Sequence, residues 1–394
     1  MPMLFSNIDR DFQGAKPYAE PDYDYLDRSA RPDAGVIRAV LQQWFSQYPV
    51  SDRPDLLGRF TSPDDIQHIS AAFELYLYEL FRRLGYSVQV HPETSSEKTT
   101  RPDFLLRDSA GNRIYVEAVQ CTDVSAEEQG AISRLNVVYD AINRLEVYDW
   151  YLGVHADGYP EVPPSNKKLR GQLMDWLTGL NLEGVTESVR QTGSRALPTL
   201  EYTDGEWKLK FTAFPRSPEK RDKPVKAVLG ARFTGARWLN TWEDVRDTLI
   251  SKGRRYGNLD APFIIAVNAN VFHLDNIDIG EALFGKEKFL FRLDQPDGEP
   301  EMQRAPNGLW FGPKGPRYSR VAGVIIGSDV NPWTYGIRTL TLYQNPWTST
   351  KVAGPIATLP RMVPVGDQMD FVAGKHPKDI LQLPQDYPGL QQPS

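Results

Sequence analysis

The sequence predicts an α/β protein, a mixed sheet flanked by helices, with an N-terminal extension before that core and α+β elaborations C-terminal to it. Three observations carry the prediction. Ile66, Ile69, Phe73, Leu77, Leu80 and Leu84 recur at helical spacing between Ser62 and Gly85. Three short apolar runs follow, at 86–90, 104–107 and 113–121. A second helical stretch, 126–145, then precedes another apolar run, 147–155. Helix, three strands, helix, strand is the order of a mixed sheet.

Residues 1–61 read as an extension, in which an acidic, tyrosine-bearing stretch precedes one short amphipathic helix at 34–48. For the helix over 63–84, Ser62 is the expected N-cap, Pro63 suits the first position and Asp65 stands where a capping-box acid belongs. Gly85 ends it. Ser109-Ala-Gly-Asn112 is a turn, so the runs on either side form a hairpin. Residues 62–160 make the core, 161–345 an α+β elaboration, and 346–394 a Pro-rich irregular tail that straps the surface. Within the elaboration, 166–180 and 241–256 read as helices, and 207–214, 263–268, 321–327 and 337–343 as strands.

Composition sets broad limits. Hydrophobic residues are 40% and charged residues 24% of the 394, so a sizeable core can form. A net charge of −6 argues against an indiscriminate coat for polyanions, but leaves room for a local basic cleft. One cysteine, Cys121, excludes an intramolecular disulfide or a multi-cysteine zinc site and fits a reducing, cytoplasmic setting. It reads as a small buried strand residue. The five histidines show no paired ligand spacing, and His68 and His155 read as surface or satisfied side chains. No run of eighteen apolar residues occurs and the first ten residues lack the order of a secretory signal, so no membrane partner is expected.

The chemistry concentrates in Arg101-Pro-Asp-Phe-Leu105 and Val116-Glu-Ala-Val119. Asp103 opens one strand and Glu117 lies in the next, with thirteen residues between them. A hairpin of that length returns Glu117 to the level of Asp103, where two carboxylates can share one divalent cation. Mg²⁺ takes hard oxygen ligands, and a bound ion activates water and neutralises developing charge on a phosphodiester. Glu74 and Glu79 on the preceding helix are candidates for a third oxygen, Glu74 being favoured because it flanks the apolar stripe. Glu117 sits between Val116 and Ala118 in a strand expected to be central, where an unpaired charge is costly. Two carboxylates without their cation repel, so loss of Glu117 is expected to stabilise the metal-free chain.

The succession of helix glutamate, Pro102-Asp103, hairpin, apolar-flanked Glu117 and helix resembles the PD-(D/E)XK, restriction-endonuclease-like nuclease superfamily over 62–155. The resemblance implies a restriction-endonuclease-like fold, an Mg²⁺- or Mn²⁺-dependent endonuclease, and metal ligation by Asp103, Glu117 and Glu74. It also implies a nucleic-acid substrate, DNA before RNA, in defence against foreign DNA or in repair, with a homodimer or a defence-system protein as further partners. A catalytically silent nucleic-acid-binding protein and a ribonuclease are the alternatives. The family's lysine belongs at 119, and Val119 stands there. Gln120, brought back by a bulge, is the first candidate to replace it, and Lys252 of Ser251-Lys-Gly-Arg-Arg-Tyr-Gly257 the second; Lys98 and Arg101 are others. Residues 205–256 hold thirteen Lys/Arg against six acids. Lys220, Arg221, Lys223, Arg254 and Arg255 there are candidates for nucleic-acid binding, with Trp238 and Trp242 as stacking residues. The whole chain also resembles an uncharacterised bacterial protein family, on phrases such as Ala261-Pro-Phe-Ile-Ile-Ala-Val-Asn268, Ala282-Leu-Phe-Gly285 and Gln344-Asn-Pro-Trp347. That second resemblance implies no activity.

Overall fold

The computed structural model describes residues 3–94, 100–162, 164–205, 207–234, 240–257, 259–271, 273–290, 301–366 and 368–389. They divide into two compact units. The larger comprises Met1–Gly14, Pro21–Asp123 and Leu239–Ser394, and the other Ala15–Glu20 and Val124–Trp238.

The larger unit begins with helices α1 (Asp22–Arg28), α2 (Pro32–Gln47), α3 (Arg53–Phe60) and α4 (Asp65–Arg83), followed by strands β1 (Ser87–Val90), β2 (Phe104–Arg107) and β3 (Arg113–Thr122). The second unit then supplies α5 (Ala126–Asn143), β4 (Trp150–Asp157), α6 (Asn166–Gly179), α7 (Leu182–Thr192), β5 (Thr199–Asp204), β6 (Trp207–Pro215) and β7 (Leu229–Thr234). The chain re-enters the larger unit with α8 (Thr241–Arg255), β8 (Phe263–Asn270), α9 (Asn276–Phe284), β9 (Glu287–Leu290), β10 (Glu301–Arg304), β11 (Phe311–Gly312) and β12 (Gly315–Pro316). It continues through β13 (Val321–Ser328), β14 (Thr341–Gln344), β15 (Arg361–Val365), β16 (Gln368–Val372) and α10 (Pro377–Ile380).

The protein is mixed α/β, as expected, with a large mixed sheet flanked by helices. Eight strands run in the order β1-β2-β3-β8-β13-β14-β15-β16. The β1/β2 and β2/β3 pairs are antiparallel, whereas β3/β8 and β8/β13 are parallel. β8 and β13 are buried along nearly their whole lengths, the pattern of strands covered on both faces. One face packs on α4, with Phe104, Leu106, Ile114 and Val116 against Phe73, Leu77 and Phe81. The other carries Leu105, Tyr115 and Cys121, packed with Val245, Leu249 and Tyr256 of the α8 region. The second unit has its own four-stranded sheet, β5-β6-β4-β7, and its own core around Val154, Leu173 and Phe211.

The structure corrects four local expectations. The run at 147–155 becomes β4 of the second unit, and the place beside β3 is taken by β8. Both runs are apolar, and local pattern does not encode which sheet an apolar run joins. The N-terminal segment holds three helices, and its Leu41, Trp44 and Phe60 are fully buried in the core shared with α4. Within the last fifty residues, 361–372 forms a hairpin that completes the large sheet. Asp64, not Ser62, caps α4, accepting from the Ile66 amide at 3.0 Å, while the Ser62 hydroxyl accepts from the Asp64 amide. Gly85, at φ +96°, does end that helix in the left-handed conformation glycine favours. Among the described residues, no helix is long and apolar enough to cross a membrane.

Asn268, 1% exposed on β8, bonds both backbone groups of Val330, its Nδ2 donating to the carbonyl and its Oδ1 accepting from the amide, each at 2.8 Å. Asn268→Ala leaves two buried backbone groups unpaired and should cost about 2–6 kcal/mol, each such group carrying a penalty of roughly 1–3 kcal/mol. Urea denaturation checks this; an unchanged midpoint would show the asparagine to be dispensable.

Candidate active site around Asp103 and Glu117

Asp103 immediately precedes β2, and the register that sets Phe104 opposite Val116 brings it beside Glu117 on β3. The Asp103 Oδ2 accepts from the Ala118 amide at 2.7 Å. Alternation puts Glu117 on the α8 face with Tyr115, Val119 and Cys121. It is 2% exposed in the middle of the sheet.

A charge there needs a partner, and the end of α8 supplies three donors. Lys252 Nζ lies 2.7 Å and Arg255 Nη1 3.3 Å from Glu117 Oε1, while the Tyr256 hydroxyl donates to Oε2. That hydroxyl also lies 3.1 Å from the Arg101 carbonyl. Residues 252, 255 and 256 share one face of a helical turn, which is why one helix end can deliver all three. The expectation that losing Glu117 would stabilise the chain is thereby corrected: cations are already in place.

The electrostatics separate the two acids. Asp103 keeps part of its surface open, yet crowding by protein atoms pushes its carboxyl well above the usual carboxylate range. The negative charges of Glu117 and then Glu74 add to that rise, and the Ala118 amide and Lys252 oppose it. Burial first, and then Glu117, push the Tyr256 phenol far up, so it stays a proton donor at any working pH. Cys121 is buried and its thiol is pushed up to about 11 by burial, the behaviour of a structural residue.

Other sequence candidates fall elsewhere. Glu74 is 4% exposed but already held: Tyr48 donates its hydroxyl to Oε1 at 2.6 Å, and Arg59 Nη1 pairs with Oε2 at 2.8 Å. Glu79 is gripped by Arg82 and Arg83 at 2.8 and 2.6 Å. The bulge that would turn Gln120 toward Glu117 is absent, because β3 and β8 stay in register from Tyr115 through Thr122. Gln120 therefore points to the opposite face, where its side-chain polar atoms are buried without hydrogen bonds. Val119 packs into the apolar cluster on the α8 face. Trp242 is 7% exposed in the core and offers no stacking surface. Arg254 donates from Nε to the Tyr318 hydroxyl at 2.6 Å. In the second unit Lys220 and Lys223 are exposed, and Arg221 donates from Nε to the Arg216 carbonyl at 2.9 Å. His68 is buried with Nδ1 2.6 Å from the Phe60 carbonyl, and His155 is exposed. Lys98 and Trp238 lie outside the described residues.

Sequence reasoning missed Tyr256, Tyr48 and Arg59. Tyr256 carried a signal, its spacing of four from Lys252; the other two act across separate helices and carried none. Among the described residues, the one group of three acids or histidines with ligand atoms all within 4.8 Å of one another is His273, Asp275 and Asp278, which is surface-lying. Its geometry is that of a helix cap, since Asp275 accepts from the Ile277 and Asp278 amides at the start of α9. Glu74, Asp103 and Glu117 do not form such a group. The β2/β3 register brings the hard oxygens of Asp103 and Glu117 side by side, and Asp103 Oδ1 makes no hydrogen bond among the described residues. Comparison of the chain with protein-family models, with curated proteins and with solved structures finds no match.

Opposite stability effects are expected at the two acids. Because Asp103 has a raised folded pKa, it contributes fully below its unfolded value near 4, and that contribution is lost as pH rises through the folded value. Asp103→Asn should therefore raise Tm at pH 7.5 and leave it unchanged near pH 4. Glu117→Gln should lower Tm at pH 7.5, by the equivalent of about 2 kcal/mol once the partial exposure of Lys252 and Arg255 is discounted from the 3–5 kcal/mol typical of a broken buried pair. Thermal melts at the two pH values decide both, and equal shifts for the two variants would contradict the assignment.

Proposed function

We propose that this chain is a metal-dependent phosphodiesterase of the PD-(D/E)XK type, acting on nucleic acid and on DNA in preference to RNA. The observation that carries the reading is the contact of Lys252 Nζ with Glu117 Oε1 at 2.7 Å, beside Asp103. It supplies a cation to the acid pair by the second of the two routes expected when Val119 replaced the family's lysine. The element order also supports the reading. Helix α4, antiparallel β1-β2-β3, helix α8 and then β8 parallel to β3 repeat the order expected from the sequence, with α8 and β8 in place of α5 and β4.

The two acids fit a divalent cation. Burial first, and then the charge of Glu117, raise the Asp103 carboxyl, and a cation of charge two shared with Glu117 would favour its ionised form. Bound there, Mg²⁺ or Mn²⁺ would supply Lewis acidity and activation of water. Asp103 and Glu117 would hold it, and the remaining work falls to the helix end. Lys252 can donate to a phosphoryl oxygen and stabilise its developing charge. Tyr256, always protonated, fixes the orientation of Glu117.

A second reading has its own support. Both oxygens of Glu117 already accept hydrogen bonds, which is the arrangement of a structural carboxylate in a protein that binds nucleic acid without cutting it. A panel of supercoiled plasmid, single-stranded DNA and RNA with Mg²⁺ or Mn²⁺ separates the two. Cleavage by the wild type, abolished in Asp103→Ala and Glu117→Gln, is the expected result. Lys252→Ala should lower the rate by about 10²–10³, the usual cost of one charge-stabilising donor. Val119→Lys in that background should restore part of it. Undiminished cleavage in both carboxylate variants would discard the site, and binding without any cleavage would favour the silent protein.

A further inference from the structure

An open cavity of about 600 Å³ lies on the larger unit, walled by Gln89, His91, Arg101, Arg107, Arg113 and Tyr115 among others. It adjoins the backbone of Asp103: the His91 amide donates to the Asp103 carbonyl at 2.9 Å, and Arg101 precedes Asp103 by two residues. At ~3.3 Å per residue, the four residues from Asp103 to Arg107 carry the cavity wall about 13 Å along β2.

The charges in this wall are not evenly matched. Arg101 pairs with Glu93 at 3.3 Å, His91 lies 3.4 Å from Asp52, and Arg113 pairs with Asp260 at 3.0 Å. Arg107 has no ion pair and no side-chain hydrogen bond among the described residues. Moreover, Arg107 stands directly opposite Arg113 in the β2/β3 register, so the two share one face of the sheet. Like charges in directly opposed positions destabilise a strand pair. An arrangement that opposes folding is one that an anion between the two guanidinium groups would turn to advantage, because guanidinium forks match phosphate oxygens.

We propose that this cavity is an anion subsite that takes a backbone phosphate of a nucleic-acid strand, with Arg107 as its principal donor and Arg113 as its second. The proposal rests on the reading of nucleic acid as substrate and names where the strand flanking the cleaved bond is held. A distance of about 13 Å corresponds to a few nucleotides at ~3.4 Å of axial rise each. A backbone phosphate carries one negative charge, the number that one uncompensated guanidinium neutralises. Contact with phosphate positions a strand without reading its bases.

The test is fluorescence anisotropy of labelled 20-nucleotide DNA on the full chain without divalent metal, over a range of salt, for wild type, Arg107→Gln and Arg107→Glu. Arg107→Gln should weaken binding about five- to tenfold for every sequence and reduce the salt slope by about one, with Arg107→Glu weaker still. Without DNA, Arg107→Gln should melt no lower than wild type, since it relieves the opposed pair; this separates lost binding from lost folding. Wild-type affinity and slope in both variants would overturn the subsite, as would a wild type that binds no DNA at low salt. The cleavage panel is scored independently. Cleavage together with Arg107-independent binding discards the subsite and keeps the enzyme, and Arg107-dependent binding without cleavage does the reverse.

Discussion

A buried carboxylate on the third strand of an eight-stranded sheet is the constraint that the end of α8 answers. Glu117 is 2% exposed, and a charge in that position is tolerated only when opposite charge and hydrogen bonds replace the water it has lost. The end of α8 meets that demand with an ammonium, a guanidinium and a phenol. That need ties the α8 end to β3, and the following strand, β8, runs parallel to β3 in unbroken register over eight residues. The same register fixes the face on which every β3 side chain lies, and so decides that Val119 joins the α8-side core while Gln120 does not.

The two acids also show how one environment gives two neighbours different characters. Glu117 is paired with Lys252 and Arg255. Asp103 accepts from a single backbone amide, and burial first, then the negative charges of Glu117 and Glu74, raise its carboxyl. Glu74 contributes to that field although its own oxygens are occupied by Tyr48 and Arg59. The asymmetry leaves one acid fixed and the other adaptable, a pairing of the kind from which acid–base roles are built.

What could be read beforehand was what is local. The hairpin between Asp103 and Glu117, the helix ending at Gly85 and the alternation along β3 depend on residues within a few positions of one another, and each appears in the structure near its expected place. The partner of β3 depends on which of two apolar strands, 150–157 or 263–270, packs beside it, and no local pattern distinguishes them. Gln120 had to obey alternation unless a bulge intervened, and strand pairing with β8 left no room for one. The hairpin at 361–372 was hidden because its exposed edge residues, Val365 and Phe371 among them, lack the alternation that a half-buried strand displays. Lys252 was visible as a candidate because it lies near the end of a helix expected from the sequence, but its choice over Gln120 required the fold.

The 135 residues that separate Glu117 from Lys252 give the site a history as well as a geometry. On a ribosome adding about 5–20 residues per second, β3 emerges on the order of ten seconds before the helix that neutralises its glutamate and the strand that covers its edge. Until β8 is made, β3 lacks its neighbour on that side, and an open strand edge is a template for association with other chains. The charge on Glu117 then serves a different purpose: a carboxylate midway along an uncovered apolar strand discourages the intermolecular pairing that a continuous apolar run would invite. Replacing it with an apolar residue would improve the finished core on paper while removing the residue that guards the unfinished one.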